Sequence, residues 1–300
     1  MKKTGSLLLL LAVSGIPAFC QMDFVGEWAP LFHEDFPERI PGPELGDYMG
    51  IPLNDAGRLR GDSYDADRIS VVTEYQCRPH GGDYSMRGLS NMRVTEEYDP
   101  QSNHLLAIHT RMSFDEQART IWMDGRPHPS ELAPHTFAGF STGTWEDNML
   151  SIYTTHQKES YLRRNGLPRS DKATFTEHWV RHGNYLTVIT AIVDPVFLTE
   201  PLVRSQTWQL DITQRIGRDI CEYIPEVVAP VGTVPAHLPG TNPFLHEVAD
   251  WYGLPYEATR GGAETLYPEY KDKAPKPENV PAKCERYCSC GQNARGCNLR

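Results

Sequence analysis

The sequence predicts an all-β fold: an antiparallel up-and-down barrel or strongly curved sheet, lipocalin-like in plan, with an irregular N-terminal strap and a proline-rich C-terminal extension. Three observations lead there. Across residues 69–212, short β-rich runs alternate with turn signals at the spacing of an antiparallel barrel or sandwich. The 24 glycines and 24 prolines indicate many turns and few long helices. In the alternating run 173–181, Phe175 and Trp179 share a face with Glu177, while Thr174, Thr176 and His178 take the other. Neither face is wholly apolar, which suits a barrel with a partly polar interior better than an oil-filled sandwich.

The elements follow in order. Residues 1–20 read as a signal peptide: Met1-Lys2-Lys3 is cationic, residues 7–13 form an apolar run, and residues 14–20 supply a helix-breaking cleavage region. Cleavage after Cys20 predicts export to the periplasm or beyond. Lipoprotein processing would instead leave Cys20 as an acylated first residue, and Phe19 before it fits that poorly; only an acylated Cys20 would bring the chain to a membrane. No later stretch approaches the ~20 apolar residues of a transmembrane helix. Residues 21–68 form the strap, broken by Pro30, Pro37, Pro41, Pro43 and Pro52, with one short helix over 54–60 capped by Asn54.

Residues 69–221 are the barrel domain, with about eight strands in a meander. Hairpin connections are expected at residues 99–103, Asp124-Gly125, residues 146–148, Asn165-Gly166 and residues 182–184, with Asp194-Pro195 before the last run. Residues 222–267 form an extension that packs on the barrel, with one short helix after Asn242-Pro243. Residues 268–300 divide into a stiff, solvated proline-rich linker and a cysteine-rich tail.

The formal charge of −10, which loss of Lys2 and Lys3 makes more negative, disfavours phosphate-backbone binding, and no basic block or basic-aromatic patch opposes that reading. Nucleic acid is therefore not expected as a partner. Cys77 and Cys221 bracket the strand-rich region and make a natural disulfide. Cys284, Cys288, Cys290 and Cys297 are spaced C-x3-C-x-C-x6-C, unlike paired C-x2-C zinc knuckles, so two disulfides of open connectivity are expected rather than a metal. This tail is the place where a protein partner could bind. No cofactor is indicated.

Three stretches carry chemically capable groups. Gly139-Phe140-Ser141-Thr142-Gly143 spells G-x-S-x-G, but a nucleophile elbow needs a helix after the serine, and here Thr144-Trp145-Glu146 leads into a turn and another strand. Ser141 is therefore read as part of a β-turn. Trp122, Asp124, Arg126 and His128, with His135 close behind, form a candidate ligand-binding rim at a barrel mouth; the alternative is a turn in which Arg126 pairs with Asp124. Glu177 and His178 beside Trp179, with His156 on a neighbouring strand, form the second candidate, suited to acid-base work or polar ligand binding, or else to holding the barrel in register.

Residues 24–270 resemble a family of uncharacterised exported bacterial proteins with a W-x-D-G-R-x-H-P, G-x-S-x-G-x-W-E and D-P-x-x-x-T-x-P pattern. Here these read Trp122 to Pro129, Gly139 to Glu146 and Asp194 to Pro201. The resemblance implies export and no particular activity. Gly26-Glu27-Trp28 followed by hairpins is a weaker likeness to lipocalin-like barrels. Together the readings favour an exported barrel that binds a small polar or aromatic ligand in the barrel or at its mouth. The alternatives are a metal-assisted hydrolase or isomerase using Glu177, His178, His156 and His135, and an envelope structural or interaction protein using the strap and tail.

Overall fold

A computed structural model of the chain describes residues 22–31, 44–48, 50–68, 71–88, 90–113, 118–217 and 220–273. The leader, Cys20, Cys284, Cys288, Cys290 and Cys297 lie outside the described residues. The fold is a closed barrel of nine strands: β1 (Gly26–Pro30), β2 (Met92–Tyr98), β3 (Leu105–Met112), β4 (Ala118–Trp122), β5 (Phe140–Glu146), β6 (Met149–Thr155), β9 (Thr174–His182), β10 (Tyr185–Val193) and β11 (Leu202–Leu210). Two further short strands, β7 (Ser160–Tyr161) and β8 (Pro168–Arg169), pair with each other outside the ring.

The all-β barrel is as expected, with two departures. An odd ring cannot alternate strand direction all the way round, so one neighbouring pair must run parallel. That pair is β4 and β5, joined in register at Ile121 to Ser141. Asp124-Gly125 turns the chain, with Gly125 at φ +73°, but does not start a hairpin. Pro127, Pro129 and Pro134 lack the N–H a returning strand must donate. Residues 123–139 instead cross back outside the barrel to the end where β4 began. The second departure is β1, which lies in the expected strap. It closes the ring between β11 and β2, with Trp28 paired to Leu210 and Met92. Its flanking Gly26 and Pro30 hide a five-residue strand among breakers.

The hairpins place the two ends of the barrel. The β2–β3, β5–β6 and β9–β10 turns mark an open end. Asp99 fixes the first by accepting hydrogen bonds from the N–H groups of Gln101 and Ser102, and Asp147 takes a left-handed φ of 52° in the second. At the other end the chain piles up a closure. Helix α1 (Asp55–Asp62) starts where Asn54 accepts the Gly57 N–H at 2.9 Å, and a short helix α2 (Gly82–Ser85) is buried against the barrel interior. After β11 come α3 (Glu247–Tyr252), α4 (Tyr256–Thr259) and α5 (Pro268–Lys273). The last corrects the linker reading over those residues: a proline in the first turn and Glu269 beside it favour a helix start.

Two clusters make the core. Trp28, Met92, Ile108, Ile121, Leu150, Trp179, Val188 and Trp208 fill the barrel interior with side chains, as small barrels do. The lipocalin likeness implied a ligand chamber in that space, and the three tryptophans occupy it. Tyr48, Ile51, Leu162, Leu167, Phe175, Ile192 and Leu202 form the second cluster, where strap, β7–β8 and barrel meet. The expected Cys77–Cys221 bridge is formed across a sequence separation of 144 residues. Cys77 precedes β2 and Cys221 follows β11, so the bridge fastens the flanking segments to one another rather than strand to strand. Among the described residues no helix is long and apolar enough to cross a membrane.

A cleft at the closed end of the barrel

Segment 79–88 closes the barrel, and its chemistry decides what the closed end is. Asp83, Tyr84, Met86 and Arg87 are all buried. Met86 joins the barrel core, whereas Asp83 faces Arg169 at 3.3 Å. The approach is close: a Cβ on Gly82 would stand 2.9 Å from Arg119 Nη1, so a side chain there would displace the guanidinium. Arg119, on β4, donates from Nη1 to Glu177 Oε2 at 2.6 Å. Its side chain is 8% exposed and that of Glu177 1%. Arg119 Nη2 and Glu177 Oε1 are buried with no hydrogen-bond partner in the protein.

Against Arg119 lies a cleft of about 230 Å³, lined also by His80, Met86, Thr110, Met112 and Phe137 among others. His80 separates it from a second compartment of about 180 Å³ that contains Tyr64, Glu74, Tyr84, Tyr161 and Arg164. The His80 ring stacks on Tyr84 at 3.8 Å, and its Nε2 lies 3.2 Å from Glu74 Oε1. Burial alone would raise the Glu74 carboxyl, but hydrogen bonding to His80, the charge of His80 and Arg164 behind it hold it below the ordinary glutamate range. Burial pushes the Tyr84 hydroxyl up to about 12, with Arg87 opposing. Apolar walls with a few convergent polar groups are the usual make-up of a small-molecule site.

The open end is less suited to a tight ligand. A bowl of about 1070 Å³ there is lined by Asp23, Glu96, Tyr98, Asp99, Asp124 and Trp145 among others. Its carboxylates are engaged locally: Asp23 by the Val25 N–H, Glu96 by the Tyr98 hydroxyl, Asp99 by its turn and Asp124 by Arg126.

The expected site residues fall in three places. Asp124 and Arg126 form the salt-bridged turn, with Arg126 Nη2 2.5 Å from Asp124 Oδ2 and the guanidinium 3.5 Å above the Trp122 ring. His128, His135 and His156 are brought together, but outside the wall, where they fasten the 123–139 crossover to β5 and β6. His128 lies 2.7 Å from Thr155 Oγ1 and 2.9 Å from Thr142 Oγ1. His156 donates to the Ser130 carbonyl and His135 to the Gln157 carbonyl. Glu177 points inward to Arg119, and His178 points outward to Ser151 Oγ at 3.0 Å. The interior Glu177–His178 pair is thereby corrected: consecutive strand residues face opposite sides, and the barrel wall stands between them. Ser141 lies within strand β5 rather than in the expected β-turn, buried with its Oγ 2.8 Å from Thr154 Oγ1, and a strand follows it. Asp194, which opens the D-P-x-x-x-T-x-P stretch, accepts from Ser170 and from the Val196 N–H, so it organises the β10–β11 connection.

The residues that sequence reasoning did not single out are Arg119, Asp83, Arg169 and His80. The alternation of Arg119 with buried Ile121 in the run Arg119-Thr120-Ile121-Trp122 puts both on one face, which was the available signal for an inward arginine. Comparison with protein-family models, curated proteins and solved structures gives no match to this chain.

The histidine fastening makes a pH prediction. Burial, with the charge of His156 second, lowers the His128 pKa. The unfolded chain, near its ordinary value of about 6.5, therefore takes up the proton before the folded one. Stability rises with pH in that window and is lost as the pH falls from about 6.5 toward the lowered folded value. The denaturant midpoint is expected to fall less between pH 7 and pH 5 for His128→Asn than for the unaltered chain. Parallel curves would show that His128 does not contribute.

Proposed function

We propose that this chain is an exported barrel protein that binds a small, partly polar, aromatic ligand at its closed end rather than in the barrel interior. The observation that carries this is the cleft over Arg119: apolar Met86, Met112 and Phe137 walls above a buried ion pair that still has unpartnered polar atoms. A buried donor without a partner costs about 1–3 kcal/mol, and a ligand hydrogen bond offsets that cost. Export is supported by the Cys77–Cys221 bridge, since disulfides persist in oxidising compartments. Membership of the exported bacterial family and absence of nucleic-acid binding belong to the same proposal.

The test is native mass spectrometry of the chain from an exporting host, with denatured spectra alongside. We expect extra mass that is retained under native conditions and lost on denaturation. Thr110→Val removes the one hydroxyl among the described residues lining this cleft at nearly constant volume. It is expected to weaken retention of that species about tenfold, the equivalent of one hydrogen bond of about 1.4 kcal/mol. A bare protein, or retention indifferent to Thr110→Val and to Phe137→Ala, would overturn the assignment.

A further inference from the structure

The charged side chains are sorted between the two ends of the barrel. Among the described residues, the open-end bowl is lined by Asp23, Glu96, Asp99 and Asp124 and by no lysine or arginine. The closed end is the reverse. Beside the cleft over Arg119 lies an outer cleft of about 430 Å³, lined by Arg60, Tyr64, Thr73, Arg78, Phe137 and Tyr161 among others. The two clefts share Phe137, and the outer one shares Tyr64, Thr73 and Tyr161 with the compartment behind His80. Among the described residues the three are lined by Arg60, Arg78, Arg119, Arg163 and Arg164, against the carboxylates of Glu74 and Glu159. In a chain of net charge −10, an excess of cations along a walled cleft is a local field for an anion.

Both glutamates are already engaged. Glu159 lies 3.1 Å from Arg60, and Glu74 lies 3.2 Å from His80 and 3.9 Å from Arg164. Arg119 has Glu177 behind it. Arg78 differs, since no carboxylate among the described residues is in ion-pair contact with it. The same holds for Lys158, whose Nζ stands 4.8 Å over the Phe137 ring.

We infer that the ligand of the closed end is an aromatic carboxylate, with its anionic group on Arg78 in the outer cleft, its ring against Phe137 and an uncharged oxygen reaching Arg119. The inference rests on the closed-end binding proposed above and names the class of ligand. Charge places each end. Arg119 is neutralised by Glu177, so its unpartnered Nη2 suits an uncharged acceptor such as a phenol or carbonyl oxygen. A carboxylate there would meet the like charge of Glu177. Arg78 instead offers an unengaged planar fork, the geometry that binds a carboxylate through two hydrogen bonds. Burial raises the Tyr161 phenol above its ordinary range, against the charges of Arg60 and Arg78, so it stays a neutral donor in the same cleft. The volumes agree with a ligand that uses both clefts. The inner one, about 230 Å³, is small against the roughly 300–1,000 Å³ of small-molecule pockets, and joined past Phe137 the two fall well within that range.

Isothermal titration calorimetry of the exported chain with para-hydroxyphenylpropionate, its primary amide and tyramine tests this, since the three share a ring and differ in the charge at the far end. The acid is expected to bind at least about tenfold tighter than the amide, as one charge-assisted hydrogen bond provides, and tyramine is expected to bind weakest. Arg78→Gln should bring the acid down to the affinity of the amide and leave the amide unchanged. Arg126→Gln removes the same charge from the turn beside Asp124 and should change neither. Circular dichroism melts confirm that both variants fold. Equal affinities for acid and amide, an acid preference that survives Arg78→Gln, or an equal loss with Arg126→Gln would each overturn the inference. Binding of none of the three would overturn it too. If native spectra then still show extra mass that depends on Phe137, the closed-end site stands with a ligand of another class; if they show none, the site falls with it.

Discussion

Arg119→Met is expected to destabilise the fold by about 3–5 kcal/mol, because it leaves the Glu177 carboxylate buried without its counter-charge. The two side chains are 8% and 1% exposed and 2.6 Å apart, so the few waters the adjoining cleft can hold replace the lost guanidinium poorly. Glu177→Leu should cost a comparable amount by stranding Arg119. The double variant Arg119→Met with Glu177→Leu is expected to regain most of the loss, since replacing a buried ion pair by apolar groups is often close to neutral. Urea denaturation of the four proteins reads this as a cycle: each single change lowers the midpoint by on the order of 1–2 M, while the double change lowers it much less. Additive losses would mean that the pair is not coupled. Equal midpoints for Arg119→Met and the unaltered chain would mean that the charge is not buried. The double variant also serves a second purpose, since it keeps the barrel while removing the ion pair under the cleft, and so separates binding from stability.

The reason this pair escapes sequence reading shows where such reading stops. Local signals placed most hairpin turns, because Asp99, Asp147 and the Gly183 turn act through their own backbone. Alternation with Phe175 and Trp179 correctly put Glu177 inside, and the same alternation already assigned His178 to the other face. What pairing the sequence cannot supply is across the barrel: Arg119 lies 58 residues from Glu177, and β5 and β6 stand between their strands in the ring. Closure has the same character. The parallel β4–β5 pair follows from the odd number of strands, and that number depended on recognising five residues of β1 between breakers. Histidines misled for a related reason. His128 between Pro127 and Pro129 has the composition of a binding loop, but threonine hydroxyls on β5 and β6 satisfy both ring nitrogens. Composition gives the groups, and only the fold says whether their bonds are already used.

Replacing Cys77 and Cys221 together by serine is the other change expected to have a large effect, and its effect should be uneven across the molecule. A bridge spanning 144 residues restricts the unfolded chain strongly, and loops of this size contribute about 3–5 kcal/mol. The folded-state consequence is local. Cys221 opens a segment rich in proline whose Val227, Val228 and Val231 are exposed. Besides the bridge, that segment is tied to residues 68–76 by the Ile224 N–H on the Tyr75 carbonyl, by Gln76 on the Ile224 carbonyl and by Glu226 near Arg68. Exposed contacts of this kind hold a segment weakly. The segment 68–80 that they hold carries Glu74 and Tyr75, which line the compartment behind His80. In the double serine variant, hydrogen exchange is therefore expected to accelerate at residues 73–80 and 221–237 while the amides of β9, β10 and β11 keep their relative protection. Retention of any closed-end ligand should fall with it. Uniform acceleration would mean that the bridge acts on the unfolded chain alone. Unchanged exchange in both segments would mean that residues 73–80 are held without it, and the closed-end cleft would then owe its shape to the barrel and segment 79–88.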